Sequence, residues 1–172
     1  GKAGLPLGGR DVDRWILHHL LGEDHVGGEP LRLAEELKCA LSHQEEALRV
    51  WAPPGEPARE LRLSRRQLEQ LLEERGLPAA LEQLLASVLA AARREGLGLG
   101  DIDALLPVGG GSRIPLIRRW LEQHCPGVPI RDERPVEAVA LGALALTPGV
   151  RLRDVLRSEE HTSELQSRQY LV

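Results

Sequence analysis

Apolar residues recur three and four positions apart along most of the chain, which is the spacing of one face of an α-helix. The first such segment follows a Gly8-Gly9 turn, and the third has Ser64 and Gln67 in the spacing of a capping box. Another carries leucines and alanines along a wide face, and we expect that face to be largely buried. The pattern predicts six helices, within residues 12–20, 30–42, 64–76, 77–96, 114–125 and 134–146.

Two segments alternate apolar and polar positions instead, which is typical of strands. PPGEP separates them and supplies the turn of a predicted β-hairpin. In the first of these segments, Arg49 and Trp51 occupy the positions between the apolar ones. The alternating apolar positions are Leu48, Val50, Ala52, Leu61 and Leu63.

The C-terminal half contains a strand, turn and helix in sequence. IDALLPV predicts a short strand at 104–108, GGGSR a turn, and IPLIRRWLEQHC a helix, while VPIRDE predicts one more brief strand. GLGLGD before this unit is a predicted flexible joint. The order α, α, β-hairpin, α, α, β, α, β, α predicts a mixed α/β fold.

Composition and charge exclude several classes of protein. Hydrophobic residues make up 42% of the 172, no apolar run approaches the length of about 18 residues that spans a membrane, and the net charge is -4. Without a basic excess, nucleic acid is not an expected partner. The two cysteines, Cys39 and Cys125, form no CxxC pair and predict reduced thiols in the cytoplasm. The histidines fit no zinc-ligand spacing, so we expect no metal site.

Both ends of the chain suggest a piece of something longer. The sequence begins with glycine and contains no methionine, which predicts a fragment. Residues 157–172 are polar and aperiodic, so we expect a disordered tail there. Within it, Arg157 to Ser167 resembles the translation of a common DNA-sequencing adapter, which would make the tail artefactual and end the natural sequence near Leu156.

The glycine run in LPVGGGSRIP is the main candidate for chemistry. A phosphate-binding P-loop requires a lysine and a hydroxyl residue directly after its last glycine, and Gly111 is followed by Ser112 and Arg113 instead. Taken alone, the run suits an ordinary tight turn. The alternative is a backbone that approaches a flat ligand or a sugar closely, beside the amide-rich start of the next helix.

Five segments in order resemble motifs of the 70-kilodalton heat-shock chaperone family. LGGRDVDRW is similar to that family's L-G-G-E-D-F-D, and E-x-x-K-x-x-L-S occurs as Glu35, Lys38, Leu41 and Ser42. Three further family motifs are similar to the segments LSRRQLEQLL, LPVGGGSRIP and RPVEAVALGA. Together the five cover residues 5–146.

The resemblance implies the second lobe of an actin-like, ribonuclease-H-like ATPase domain with an inserted helical and β-hairpin subdomain. Residues 1–9 would begin the junction with the lobe's sheet, and 10–98 would form the inserted subdomain. Residues 99–156 would belong to the lobe core, and 157–172 would be the tail.

The resemblance also implies which residues contact ATP or ADP. Glu35 and Lys38 would face the ribose, Ser42 the edge of the base, and Arg113 would stack over the base. At Cys39 some members of the family have a stacking arginine, and Val136 replaces a motif aspartate. The implied nucleotide-contacting set is Glu35, Lys38, Cys39, Ser42, Gly109, Gly110, Gly111, Ser112 and Arg113. The alternative for Glu35 and Lys38 is a solvent-facing ion pair one helical turn apart.

The implied function is that of a partial ATP-binding domain from a chaperone that couples ATP hydrolysis to protein folding. The phosphate loops, catalytic residues and Mg²⁺ ligands of such a parent would lie outside this sequence, so we assign no catalytic residue and expect no ATP hydrolysis by this chain alone. Implied partners are unfolded client proteins and a nucleotide-exchange factor. The alternatives are a non-enzymatic interaction module with a degenerate nucleotide site, which Cys39 and Val136 permit, and a helical scaffold.

Overall fold

The computed structural model describes residues 2–25 and 27–145, and it divides the chain into two units, Gly1–Ala138 and Val139–Val172. The helices in the described part are α1 (Gly9–Leu21), α2 (Gly28–Leu41), α3 (Arg65–Glu74), α4 (Leu77–Arg94), α5 (Pro115–His124) and α6 (Ala138–Ala145). The strands are β1 (Glu46–Trp51) and β2 (Arg59–Ser64), and single 3₁₀ turns span Leu99–Asp101 and Gly110–Arg113. All six predicted helices and the hairpin are therefore confirmed. The predicted tail at 157–172 lies outside the described residues.

Local chemistry explains where several helices begin and end. At α1, the Asp11 carboxylate accepts a hydrogen bond from the Gly8 amide at 2.8 Å, which satisfies a donor that the helix itself leaves free. Gly76 adopts a left-handed conformation with φ of 75° between α3 and α4, where a residue with a Cβ would be strained. Pro78 then lies in the first turn of α4, where its missing amide hydrogen costs no bond.

Ser64 forms the capping box that the sequence predicts. Its hydroxyl accepts from the Gln67 amide at 3.2 Å, and the Gln67 side chain accepts from the Ser64 amide at 2.9 Å. We expect Ser64→Ala to lower the free energy of unfolding by about 1 kcal/mol, because an N-terminal amide of α3 loses its partner. Urea unfolding followed by circular dichroism measures this. Ser87→Ala is the control, because the exposed Ser87 hydroxyl only donates to the Gln83 carbonyl within α4. It should change the free energy of unfolding by less than about 0.5 kcal/mol.

One hydrophobic core lies between the N-terminal helices, the hairpin and the start of α5. It excludes water from side chains that are far apart in sequence, which provides the main driving force for this arrangement. Its most deeply buried members are Ile16, Leu17, Leu37, Leu41, Leu63, Leu68, Leu72 and Ile114.

The hairpin packs against the hydrophobic core with the face of β1 that carries Trp51. The strands are antiparallel, with Ala47 opposite Leu63, and Ala47 and Trp51 are buried while Leu48 and Val50 are exposed. Arg49 shares the inner face, where its Nε donates to the Glu36 carboxylate at 2.7 Å. An arginine fits beside the core because its charge is paired at the rim while its stem packs.

Two expectations about burial and strands are wrong. Along α4 only Leu77 is buried, and the other apolar side chains of the predicted buried face are half-exposed, because the described part of the chain covers only the start of this helix. The two predicted strands near Leu105 and Ile130 reduce to one isolated parallel bridge. A parallel pair without further strands beside it gains too few hydrogen bonds to extend.

Among the helices of the described residues, none combines the length and the apolar character that crossing a membrane requires.

Candidate functional site

The glycine turn is positioned by two neighbouring segments of chain. The Leu105 amide donates to the Pro129 carbonyl at 2.9 Å, and the Arg131 amide donates to the Leu105 carbonyl at 2.8 Å. Four residues further on, the Gly109 amide donates to the Pro135 carbonyl at 2.8 Å. These bonds hold the turn beside the loop at 131–135.

The core brings the end of α2 to the same place. Leu41 is the last residue of α2 and Ile114 follows the glycine turn, and both are almost fully buried in one hydrophobic cluster. Their sequence neighbours Ser42 and Arg113, although distant in sequence, line one pocket beside that cluster.

A pocket of about 380 Å³ opens where these segments meet. Its volume lies within the range of about 300–1,000 Å³ that is usual for small-molecule sites. It combines two hydroxyls, two guanidinium groups, an imidazole, a carboxylate and two proline rings. The lining residues are Ser42, His43, Ser112, Arg113, Pro115, Arg118, Asp132 and Pro135.

The backbone of the turn leaves open space over its glycines. Gly109 has φ of 83°, a conformation that strains residues with a Cβ. At Gly110 and Gly111 an added Cβ would meet no atom within 4 Å, so packing within the described residues does not require glycine there. Ser112 closes the turn, since its hydroxyl donates to the Gly109 carbonyl at 2.7 Å.

Arg65 stabilises the C-terminal end of α2, where Ser42 lies. Its Nε donates to the Leu41 carbonyl and its Nη2 to the Gln44 carbonyl, both at 3.0 Å, while Nη1 pairs with Glu45. A cation that binds the free carbonyls at a helix C-terminus also interacts favourably with the helix dipole. Ser42 directly follows Leu41, whose carbonyl Arg65 binds, and its hydroxyl lies 3.4 Å from the Lys38 carbonyl.

Lys38 is buried against α1. Its Nζ lies 2.7 Å from Oδ1 of Asp13 and donates to the Gly9 carbonyl at 3.2 Å. Burial raises the pKa of the Asp13 carboxyl above its ordinary value, and the hydrogen bond and charge of Lys38 oppose that rise without cancelling it. The alternative of a solvent-facing Glu35–Lys38 pair is therefore wrong, since Lys38 is only 8% exposed.

The glycine turn, the capping motifs and the pocket all fall within a region that matches one known family. The family model for Hsp70 protein matches residues 4–164. The chain belongs to the Hsp70 family. Among curated relatives, the chaperone protein HscA homolog of Acidithiobacillus ferrooxidans is 35% identical over 149 residues, and that of Bordetella pertussis is 32% identical over 144 residues. Each comparison covers 80% of this chain and 22% of the relative, so this Hsp70 chain spans about a fifth of their length.

The structure brings together part of the nucleotide-contacting set that the Hsp70 resemblance implies. Ser42, Ser112 and Arg113 line the same pocket. The other predicted residues are absent from the described lining: Glu35 and Cys39, which are exposed on α2, together with Lys38, Gly109, Gly110 and Gly111. Val136, where the family motif has aspartate, is 57% exposed.

Sequence reasoning missed four polar residues that pair with a predicted site residue, bind the chain beside one, or line the same pocket. They are Asp13, Arg65, Arg118 and Asp132. For the Asp13–Lys38 pair a signal existed, because Lys38 follows Ala34 by four positions and precedes Leu41 by three, which places it on a buried stripe. Arg118 and Asp132 join only through the fold and had no local signal.

Within residues 2–25 and 27–145, no group of three or more His, Cys, Asp and Glu side chains is arranged to hold a metal ion. The hydroxyls and guanidinium groups that the pocket does present suit a neutral or anionic organic ligand.

Proposed function

We propose that this chain supplies the adenosine-contacting wall of the nucleotide cleft in an Hsp70-type chaperone, within the second lobe of an actin-like ATPase domain. The observation that supports it is the single pocket shared by Ser42, Ser112 and Arg113. Hydroxyls suit the polar edge of a base, a guanidinium suits its π-face, and glycines allow a flat ligand to approach the backbone.

In the whole protein, we propose ATP and ADP as ligands, with hydrolysis and Mg²⁺ binding belonging to the complete parent domain. Unfolded proteins would be its clients, and a nucleotide-exchange factor would bind the helical subdomain. The cytoplasm is the proposed location. The curated relatives are named chaperone proteins, which supports unfolded proteins as clients.

The size of the ligand limits the affinity that this wall provides. At about -0.3 kcal/mol per non-hydrogen atom, adenosine with roughly 19 such atoms would gain about -6 kcal/mol, which corresponds to a dissociation constant of tens of micromolar. With one wall and no phosphate contacts, we expect a millimolar constant for this chain.

Gly111→Val tests the proposal, because a branched side chain would fill the open space that we assign to the nucleoside. Adenosine titrated into the ¹⁵N-labelled chain should shift the amides of Ser42, Ser112 and Arg113 saturably, and the variant should weaken binding at least about tenfold. Gly100→Val is the matched control, since Gly100 also lies in a 3₁₀ turn and an added Cβ there also meets no atom within 4 Å.

Two results would contradict the proposal. If adenosine produces no saturable shifts in the unmodified chain at millimolar concentrations, the interaction module with a degenerate site becomes the better description. If Gly111→Val binds adenosine as well as Gly100→Val does, the nucleoside does not lie against the turn.

A further inference from the structure

Asp132 provides the only carboxylate among the described residues that line the pocket. Its Oδ2 accepts a hydrogen bond from Nη1 of Arg118, and Nε of the same guanidinium donates to Glu122 at 3.1 Å. Arg118 is thus held between two carboxylates, one on its own helix and one on the loop after Ile130. This pairing restrains the position of the Asp132 carboxylate at the pocket.

The Asp132 carboxylate can accept hydrogen bonds beyond the one that Arg118 donates. It is 39% exposed, and a carboxylate has about four acceptor positions, of which Arg118 occupies one. Asp132 differs from the other polar groups of the pocket in its charge. The hydroxyls of Ser112 and Ser42 donate to backbone carbonyls at 2.7 Å and 3.4 Å and offer only neutral lone pairs, the guanidinium groups only donate, and a carboxylate is the stronger acceptor because its hydrogen bonds are charge-assisted.

A ligand that complements this pocket offers an N–H donor to the carboxylate and ring acceptors to the cations. The base of adenosine has one such donor, its exocyclic amino group, together with ring nitrogens that accept. Guanine instead presents a carbonyl oxygen at the same position, which a carboxylate would repel.

We propose that Asp132, restrained by Arg118, is a specificity-determining residue that accepts a hydrogen bond from the amino group of a 6-aminopurine nucleoside. This rests on the proposed function, because it requires the base to occupy the pocket. A charge-assisted hydrogen bond in an open pocket should give a preference of about tenfold over the same nucleoside without the amino group.

The test compares adenosine with purine riboside, which lacks only the 6-amino group, in ¹⁵N titrations of the whole chain. The unmodified chain should bind adenosine about tenfold more tightly. Asp132→Ala should bind the two nucleosides equally, with its affinity for purine riboside unchanged. Glu122→Ala is the control, since it removes the other partner of Arg118 from outside the pocket lining, and it should keep the preference.

Each remaining outcome rejects the idea at a defined level. If the unmodified chain binds both nucleosides equally, or if Asp132→Ala keeps the preference, the role of Asp132 is rejected while adenosine binding stands. If neither nucleoside binds the unmodified chain, the proposed function fails and the role of Asp132 fails with it. The amide spectrum of each variant shows whether the fold is retained.

Discussion

Replacing Lys38 with methionine is expected to destabilise the folded chain by about 3–5 kcal/mol. Methionine matches the length of the lysine stem but leaves Asp13, which is only 3% exposed, as a buried carboxylate without its cation. The penalty is the uncompensated charge rather than a loss of packing. Urea unfolding monitored by tryptophan fluorescence measures it at neutral pH.

The effect of Lys38→Met should also depend on pH. The pKa of Asp13 is raised in the folded state above its ordinary value of 3.8, mainly by burial, so the folded chain binds that proton more tightly than the unfolded chain. The stability that this proton contributes is therefore fully present below pH 3.8, and it is lost as the pH rises through the pKa that Asp13 has in the folded chain. Losing Lys38 raises this pKa further, so the variant should lose less stability at pH 5 than at pH 7.

Two further variants isolate the buried ion pair. Asp13→Asn combined with Lys38→Met should recover part of the loss, because neither charge then remains buried without a partner. Arg32→Met breaks the exposed pair with Glu36 and should cost less than about 1 kcal/mol. If Lys38→Met costs no more than Arg32→Met, Lys38 is not paired with Asp13 in solution, and contact with the nucleotide becomes the stronger explanation of this position.

Leu63→Ala is the second large effect that we expect, at about 2–5 kcal/mol. Leu63 is fully buried on the inner face of β2, opposite Ala47, where a small neighbour leaves the leucine to fill the space. Truncation would leave a cavity between the hairpin and the helices. Chemical unfolding of the variant and the parent chain gives the difference directly.

Val50→Ala is the matched control for the hairpin, because Val50 lies on the outer face of the paired strand and is 57% exposed. We expect a change of less than about 0.5 kcal/mol. A large loss at Val50 together with a small one at Leu63 would mean that the hairpin buries its opposite face.

The local rules that the sequence obeys were enough to predict its helices. Ser64 and Gln67 predicted a cap that the structure contains, and the apolar period predicted α1 to α3 with their buried faces. Periodicity of this kind depends only on residues a few positions apart, so it is readable without the fold.

The hairpin shows where such reading stops. Alternation in β1 revealed two faces but not which of them is buried. In the fold the buried face is the one that carries Ala47 and Trp51, and Arg49 on the same face pairs with Glu36 of α2. The apolar stripe of α4 likewise predicted a buried face, but within the described part of the chain only the start of this helix is buried.

The sequence by itself determined the family motifs, the number and order of the helices in the described part, and the residues Ser42, Ser112 and Arg113 as candidates. Only the tertiary structure decided that these three share a pocket, that Lys38 is directed to Asp13, and that Asp132 and Arg118 join the pocket lining. The physical reason is that ion pairs and pockets form between segments that the hydrophobic core brings together, and no local period records those distances.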